Sequence, residues 1–353
     1  MSEKKSAFES DKISIAFSLT SELDNAVVGK KVFDALIKLA PDCMIDIFCP
    51  NERAKTFAKA VYSDSANLNL ISINDAQYKE TTKKYDLAIL IYSTHFIILQ
   101  NINEAALKNK SPKLFNAIVG IHNYNTKNVY NVGADNRTAF RNMMMAGILK
   151  QNCFAFLSCN GALPIHDDKV NISLSAEYKS KFDALKLGKY IAIYSDMTTG
   201  EKTPKAKTWP LQYLTEYISR MKKMLPQVEI IQIGGEKDVK IENVNRHLLS
   251  DDLELTKYLL ANALLVVGDN CGYVHLATAL GTKCVVLFGQ SSADYFGYDR
   301  NINIASEVCS PCRFFFQNEN ICMREEKEPL CMLGITPKLV SKITCTHLKH
   351  ILD

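Results

Sequence analysis

Short apolar runs alternate with amphipathic segments along the chain, and this pattern predicts an α/β protein. In the first half, β-branched runs predict strands, and the segments between them carry apolar residues at helical spacing, such as Val28, Val32 and Leu36. Strands that alternate with helices form parallel, doubly wound sheets. The predicted strands of this half are residues 13–18, 44–49, 68–73 and 86–91.

The pattern changes after these strands. Residues 123–137 are polar and rich in turn formers, which predicts a loop. Residues 138–156 are mostly apolar and predict one long helix. Turn formers return between residues 158 and 189, so we place a domain boundary there. The predicted domains are residues 1–170 and 171–335, followed by a C-terminal helix within 336–353 that is expected to pack on the first domain.

The second half repeats the alternation. Its predicted strands are residues 190–194, 228–233, 264–268 and 283–288, and its predicted helices are residues 174–185, 211–224, 252–262 and 274–280. Polar and glycine residues, Asp269 to Gly272, follow the third of these strands directly. Strand-to-helix turns of this kind place backbone N–H groups at the carboxyl edge of a sheet, which is where phosphorylated ligands bind. The pattern therefore predicts a nucleotide-type site in the second domain.

Composition narrows the class of protein. A chain of 353 residues is long enough for two domains with full cores, and its 47% apolar and 23% charged content is typical of soluble globular proteins. The net charge of +4 is slight and argues against duplex nucleic acid as a partner, but it fits a phosphorylated substrate or an acidic lipid surface. The polar N-terminal segment and the lack of an apolar run of about 18 residues predict a cytoplasmic protein.

Several motifs in the second half occur together in a known order. They are the segment VVGDNCGYVHLATALGTKCVVLFGQSSADYFGY, the K-T-W-P at 207–210, and a C-terminal series of cysteines followed by Cys-Met and Ile-x-Pro. In these motifs the chain resembles glycosyltransferase family 9, the ADP-heptose:lipopolysaccharide heptosyltransferases. In the first half the likeness rests on Leu23-Asp24 and on Asp34-Ala35-Leu36. The resemblance implies a GT-B architecture, with two Rossmann-like domains that face a central cleft.

The resemblance also implies roles for particular residues. Asp24 resembles the carboxylate that takes the proton from the acceptor hydroxyl, and Lys207 resembles the lysine that neutralises the donor diphosphate. Each also has a simple structural interpretation, as a helix cap and as a solvated lysine. The expected donor-binding residues follow strand ends or begin helices, and Asn270 stands where many family members have an aspartate. They are Ser195, Thr198, Glu236, Asp269, Asn270, Cys271, Gly272 and His275.

The cysteine series has the spacing C-x2-C-x9-C-x8-C, formed by Cys309, Cys312, Cys322 and Cys331. This spacing suits a structural four-thiolate site for iron or zinc. Relatives that glycosylate autotransporters resemble this pattern and hold iron there. Reduced thiols in the core are the alternative, because free cysteine is among the most buried residue types.

The resemblance implies an inverting glycosyltransferase that needs no metal for catalysis. The expected donor is ADP-heptose, the expected acceptor is a lipopolysaccharide core or a related glycan, and contact with the inner face of the membrane is compatible with such an acceptor. Three alternatives remain open: a protein heptosyltransferase of the autotransporter type, a nucleotide-sugar epimerase of the same fold, and a non-catalytic scaffold that binds a sugar nucleotide or a metal.

Overall fold

The computed structural model describes residues 11–65, 68–72, 75–92, 96–128, 136–195, 206–315, 322, 324 and 328–352. These residues fall into two compact units. The first unit holds the chain up to Met145 and Gln151–Ser173, and the second holds Ala146–Lys150 and the chain from Leu174 onward.

The first unit is built on a five-stranded sheet with the order β3-β2-β1-β4-β5. Strands β1 to β4 are parallel, and the edge strand β5 is antiparallel to β4. The elements of this part of the chain are β1 (Ser14–Ser18), α1 (Leu23–Leu39), β2 (Met44–Cys49), α2 (Glu52–Tyr62), β3 (Leu68–Ser72), α3 (Asp75–Thr82), β4 (Leu87–Tyr92), β5 (Phe96–Ile102), α4 (Glu104–Lys110), α5 (Pro112–Asn128), α6 (Asn136–Leu149) and α7 (Cys153–Leu157).

Two predictions for the region around α5 and α6 are wrong. Residues 123–128, expected in a loop, complete α5, because Asn125 turns inward and its side chain donates to Ile97 O of β5 over 3.0 Å. The long helix expected over 138–156 is broken into α6 and α7. Lys150 adopts a left-handed conformation with φ 53°, and the Asn152 side chain caps α7 by accepting from Phe154 N–H. Residues 129–135 lie outside the described part.

The second unit is built on a six-stranded sheet with the order β11-β10-β9-β6-β7-β8, in which every pair is parallel. Its described elements are a 3-10 turn (Ala176–Tyr178), α8 (Lys179–Asp183), β6 (Tyr190–Ile193), α9 (Leu211–Met224), β7 (Glu229–Gly234), β8 (Arg246–Leu249), α10 (Leu253–Ala261), β9 (Leu265–Asp269), α11 (Gly272–Ala279), β10 (Cys284–Phe288), α12 (Ala293–Phe296), β11 (Ile302–Ala305), α13 (Leu330–Leu333) and α14 (Pro337–Leu352). The predicted fold class, two α/β units with doubly wound parallel sheets, is confirmed.

The C-terminal helix α14 packs on α9 within the second unit. Trp209, just before α9, donates its indole N–H to Ile335 O over 2.8 Å, and Tyr217 of α9 contacts Thr344 of α14. Val340 and Leu348 complete the same buried cluster. The apolar face of α14 is therefore covered by its own unit, which corrects the expectation that this helix would pack on the first domain.

In each sheet, the direction in which successive strands are added reverses at one place. This place lies between β1 and β4 in the first unit and between β6 and β9 in the second. Loops at the carboxyl ends of such strand pairs diverge to opposite faces of the sheet and leave a crevice for ligands. Among the described residues, no helix is long and apolar enough to cross a membrane.

Candidate functional site

The crevice of the second unit is lined by residues from the ends of β6 and β9. The N–H group of Tyr194 donates to Val267 O over 3.2 Å, so the two strands end side by side. Ser195 follows the end of β6, and Asn270 comes directly after β9. The structure thus brings together two of the donor-binding residues predicted from distant parts of the chain.

Three buried oxygens near these strand ends and in the K-T-W-P segment have no hydrogen-bond partner among the residues that the structure describes. They are Ser195 Oγ, Asn270 Oδ1 and Thr208 Oγ1, whose residues are 3%, 4% and 1% exposed. A buried polar group without a partner costs about 1–3 kcal/mol. Such groups are therefore tolerated mainly where a ligand or water completes them. Thr208 was not anticipated, since its hydroxyl has no sequence pattern that separates it from a structural threonine.

Helix α11 begins at Gly272, immediately beyond the crevice. Its N-cap residue, Cys271, is extended with φ −143° and makes no side-chain capping bond, so the first N–H groups of the helix point to the carboxyl edge of the sheet. Asp269 and His275, also predicted donor residues, are buried at 2% and 0% exposure. His275 Nδ1 lies 2.8 Å from the Tyr298 hydroxyl, which holds the imidazole in the helix packing.

Glu236 lies one strand further along the sheet, in the turn after β7. Gly234 has φ 153°, a conformation that favours glycine, and Asp238 accepts a hydrogen bond from Gly235 N–H over 2.9 Å. Glu236 itself is exposed, and its N–H donates to Asp251. The turn is therefore rigid while the Glu236 side chain faces solvent, which suits a carboxylate that hydrogen-bonds to hydroxyl groups of a ligand.

Lys207 is half-buried between two buried neighbours, Ala206 and Thr208. Trp209 fixes this segment because its side chain is 2% exposed in the core and its indole N–H donates to Ile335 O. Thr198, the remaining predicted donor residue, lies outside the described residues.

Asp24 lies in the first turn of α1, at the carboxyl end of β1 in the first unit. The N-cap residue is Glu22, so Asp24 is not the cap itself; its Oδ1 accepts from Asn25 N–H over 2.7 Å. Asn25 is fully buried and links the loop after β1 to the end of β4, because its side chain accepts from Thr20 N–H and donates to Tyr92 O. This positioning residue was missed, since an asparagine inside a helix looks like any polar helix residue.

Asp24 contributes to the electrostatic environment of Cys153, the first residue of α7. Burial is the main reason that the pKa of the nearby Cys153 thiol is raised well above its ordinary value, and the charges of Asp168 and Asp24 raise it further. Cys153 is therefore a neutral thiol at physiological pH.

The four cysteines of the series interact electrostatically. Burial raises the pKa of Cys331 to about 12, and the neighbouring Cys309, Cys312 and Cys322 thiols contribute to the rise. The pKa of Cys312 is also raised, mainly by burial and further by the Cys309 and Cys322 thiols. All four are thus neighbours in space, but within the described part of the chain no three His, Cys, Asp or Glu side chains are spaced to hold a metal ion. Cys331 is buried, as the core-thiol alternative expects, whereas Cys309 is exposed.

A parallel doubly wound unit with a crevice at its switch point is the class of fold in which many nucleotide-binding proteins hold their ligands. The sequence profile of glycosyltransferase family 9 (heptosyltransferase) matches residues 124–320. The chain therefore belongs to glycosyltransferase family 9. A comparison with curated protein sequences finds no match.

Solved structures share the fold over nearly the whole chain. E. coli ADP-heptose lps heptosyltransferase II is similar with a TM-score of 0.58 and 15% identity, covering 97% of this chain and 100% of its own. E. coli heptosyltransferase WaaC, solved with ADP, has a TM-score of 0.51 and 14% identity, with 96% and 98% covered. The iron-containing dodecameric glycosyltransferase TibC from enterotoxigenic E. coli has a TM-score of 0.59 and 13% identity, with 98% and 78% covered. At these identities, the likeness establishes the fold.

Proposed function

We propose that the protein transfers a sugar, with ADP-heptose as the first donor to test, to a hydroxyl group of a lipopolysaccharide core or related glycan. The observation that carries this proposal is the pair of buried oxygens of Ser195 and Asn270, which have no partner in the described part of the chain and lie beside the start of α11. In a member of this family, a nucleotide diphosphate is the ligand that such a crevice would bind. WaaC, which has the same fold, was solved with ADP.

On the donor side, the N–H groups at the start of α11 and the Lys207 ammonium would bind the diphosphate. A departing diphosphate gains negative charge, so fixed donors and a cation stabilise the transition state more than the ground state. Glu236 would accept hydrogen bonds from the ribose hydroxyls, as acidic residues do after strands of dinucleotide folds.

On the acceptor side, Asp24 would act as general base. The acceptor oxygen forms a bond to the anomeric carbon while the bond from that carbon to the diphosphate oxygen breaks; the electron pair leaves with the diphosphate, and the acceptor proton goes to Asp24. Attack from the face opposite the leaving group inverts the anomeric configuration. One carboxylate is enough for this step, and Lys207 balances the leaving-group charge, so we propose that the step needs no metal.

Asn270 bears on the choice of donor sugar. An amide both donates and accepts hydrogen bonds, whereas the aspartate found there in many family members only accepts when ionised. Asp269 is the adjacent carboxylate, but it is 2% exposed at the end of β9. A panel of donors that differ in the sugar is therefore part of the test, and we expect sugar selectivity to respond to Asn270→Asp.

The protein-heptosyltransferase alternative has one specific observation in its favour. The four neighbouring thiols resemble the cysteine pattern of autotransporter-modifying relatives, and TibC, described as iron-containing, shares the fold. The nature of the acceptor separates the two functions.

We propose that the reaction takes place in the cytoplasm, with contact at the inner face of the membrane when the acceptor is a glycolipid.

The decisive experiment is a binding and turnover panel. ADP, UDP, GDP and the corresponding sugar nucleotides are screened for thermal stabilisation; a ligand at 100 times its Kd stabilises the folded state by about 2.7 kcal/mol. Turnover is then followed by ADP release with a lipopolysaccharide-core or a peptide acceptor, and product configuration by NMR. Selective stabilisation by adenine nucleotides and acceptor-dependent ADP release support the proposal. No stabilisation by any nucleotide would refute it, and conversion of the donor sugar without an acceptor would indicate an epimerase.

A further inference from the structure

The segment that carries Cys309 and Cys312 is hydrogen-bonded to the loop that follows β10. Cys312 N–H and Arg313 N–H both donate to Gln290 O, over 2.9 and 3.0 Å, and the Ser310 hydroxyl donates to Gly289 O. Cys331 packs against the same loop, since a Cβ atom added at Gly289 would lie 3.1 Å from the Cys331 sulfur. The cysteine segment therefore fixes Arg313 at the carboxyl end of β10.

The guanidinium group of Arg313 is held by two buried aromatic rings. It lies 5.1 Å from the ring centroid of Phe296 and 4.8 Å from that of Phe314, whose residues are 2% and 3% exposed. Its Nη1 atom lies 3.5 Å from the buried Ser291 hydroxyl. A guanidinium that packs on aromatic faces has its orientation fixed before a ligand arrives.

Two connections link Arg313 to the crevice between β6 and β9. Strand β10 pairs with β9, with Leu287 opposite Asp269, so the loops after these strands start about 5 Å apart. Phe296, under the guanidinium, is also close in sequence to Tyr298, whose hydroxyl contacts His275 near the start of α11. Arg313 and the N-terminal end of α11 thus belong to the same edge of the same sheet.

We propose that Arg313 binds the diphosphate of the nucleotide-sugar donor, and that the cysteine segment serves to position it. This inference rests on the proposed donor site in the second unit. A rigid guanidinium can bind two phosphate oxygens at once, which a lysine ammonium does not do, so Arg313 complements Lys207. The proposal also gives the cysteine series a role in the reaction without placing a thiol in contact with the substrate.

The test measures ADP and adenosine affinities by calorimetry for the wild type, Arg313→Gln, Arg313→Lys and the control Arg300→Gln. Arg300 donates to Thr278 O and Gly281 O at the opposite end of α11, so its loss changes net charge equally without touching the proposed site. Arg313→Gln is expected to weaken ADP binding about tenfold or more, because hydrogen bonds to charged groups are worth about 1.5–3 kcal/mol. Adenosine binding should not change, and Arg313→Lys should restore part of the ADP affinity.

Equal ADP affinities of Arg313→Gln and Arg300→Gln would overturn the proposal, while ADP binding to the wild type would still support the donor site. Failure of the wild type to bind any nucleotide would overturn both. Labelling of arginines in the wild type with phenylglyoxal, mapped by mass spectrometry, tests the same point without a variant. ADP should protect Arg313 and leave the exposed Arg300 reactive; equal labelling of Arg313 with and without ADP would contradict the proposal.

Discussion

Asp24→Asn is the substitution that most directly tests the chemistry. The Oδ1 atom of Asp24 accepts a hydrogen bond from Asn25 N–H over 2.7 Å, and the amide oxygen of asparagine can accept the same bond. The buried Asn25, which links the loop after β1 to the end of β4, is unchanged. The substitution removes the interaction of one negative charge with the start of α1, which is worth about 0.3–1 kcal/mol.

The expected effect on the reaction is much larger. Removal of a general base costs about 10²- to 10⁴-fold in rate, or about 2.7–5.5 kcal/mol in the activation barrier. A loss of stability below 1 kcal/mol leaves nearly all of the protein folded, so it cannot produce a hundredfold loss of turnover. The rate should therefore fall while the melting temperature and ADP affinity stay close to those of the wild type.

The assay is the initial rate of ADP release at saturating donor and acceptor, with ADP affinity measured in parallel. Glu22→Gln is the matched control, because Glu22 is exposed, lies two positions earlier and makes no side-chain capping bond. Near-wild-type turnover of Asp24→Asn would refute the assignment of the base. If Glu22→Gln alone lost activity, Glu22 would be the base instead.

Three further predictions concern the second unit. Lys207→Ala should abolish most of the thermal stabilisation by ADP without unfolding the protein, and equal stabilisation of both proteins would remove Lys207 from the donor site. Ser195→Ala should raise the free energy of unfolding of the ligand-free protein by about 1–3 kcal/mol, because it removes a buried hydroxyl without a described partner. The same substitution should weaken ADP binding. Chemical denaturation measures the first effect and calorimetry the second, and a destabilised variant would contradict the reasoning. The cysteine series should hold at most one metal ion per chain, as measured by elemental analysis, and mild chelation should leave turnover unchanged; loss of activity with the fold intact would show that a metal takes part.

Much of the local structure follows from the sequence. The spacing of apolar residues predicts α9 at Leu211–Met224 residue for residue, because one face of that helix is buried and the other is exposed to solvent. The runs that became β6, β9 and β10 are apolar on both faces, which is typical of strands inside a parallel sheet. The change from apolar to polar at Asp269–Gly272 marks the strand end that carries the crevice.

Other elements depend on partners that are distant in sequence. The antiparallel edge strand β5 was not predicted, since its pairing with β4 is what makes it a strand. Residues 123–128 look like a loop, but Asn125 finds a backbone acceptor on β5 and the helix continues. A polar residue favours a turn only when no such partner is present in the fold.

The sequence by itself determined the class of fold, the family and the strand ends at which the candidate residues occur, because periodicity and strand-end composition are local properties. Only the tertiary structure decided which of those residues meet. It placed Ser195 beside Asn270 through the pairing of β6 with β9, buried His275 against Tyr298, and assigned α14 to the second unit. It also brought Arg313 to the sheet edge through bonds to a loop more than twenty positions earlier in the chain. Contacts between distant segments depend on sheet order and loop packing, which no local pattern records.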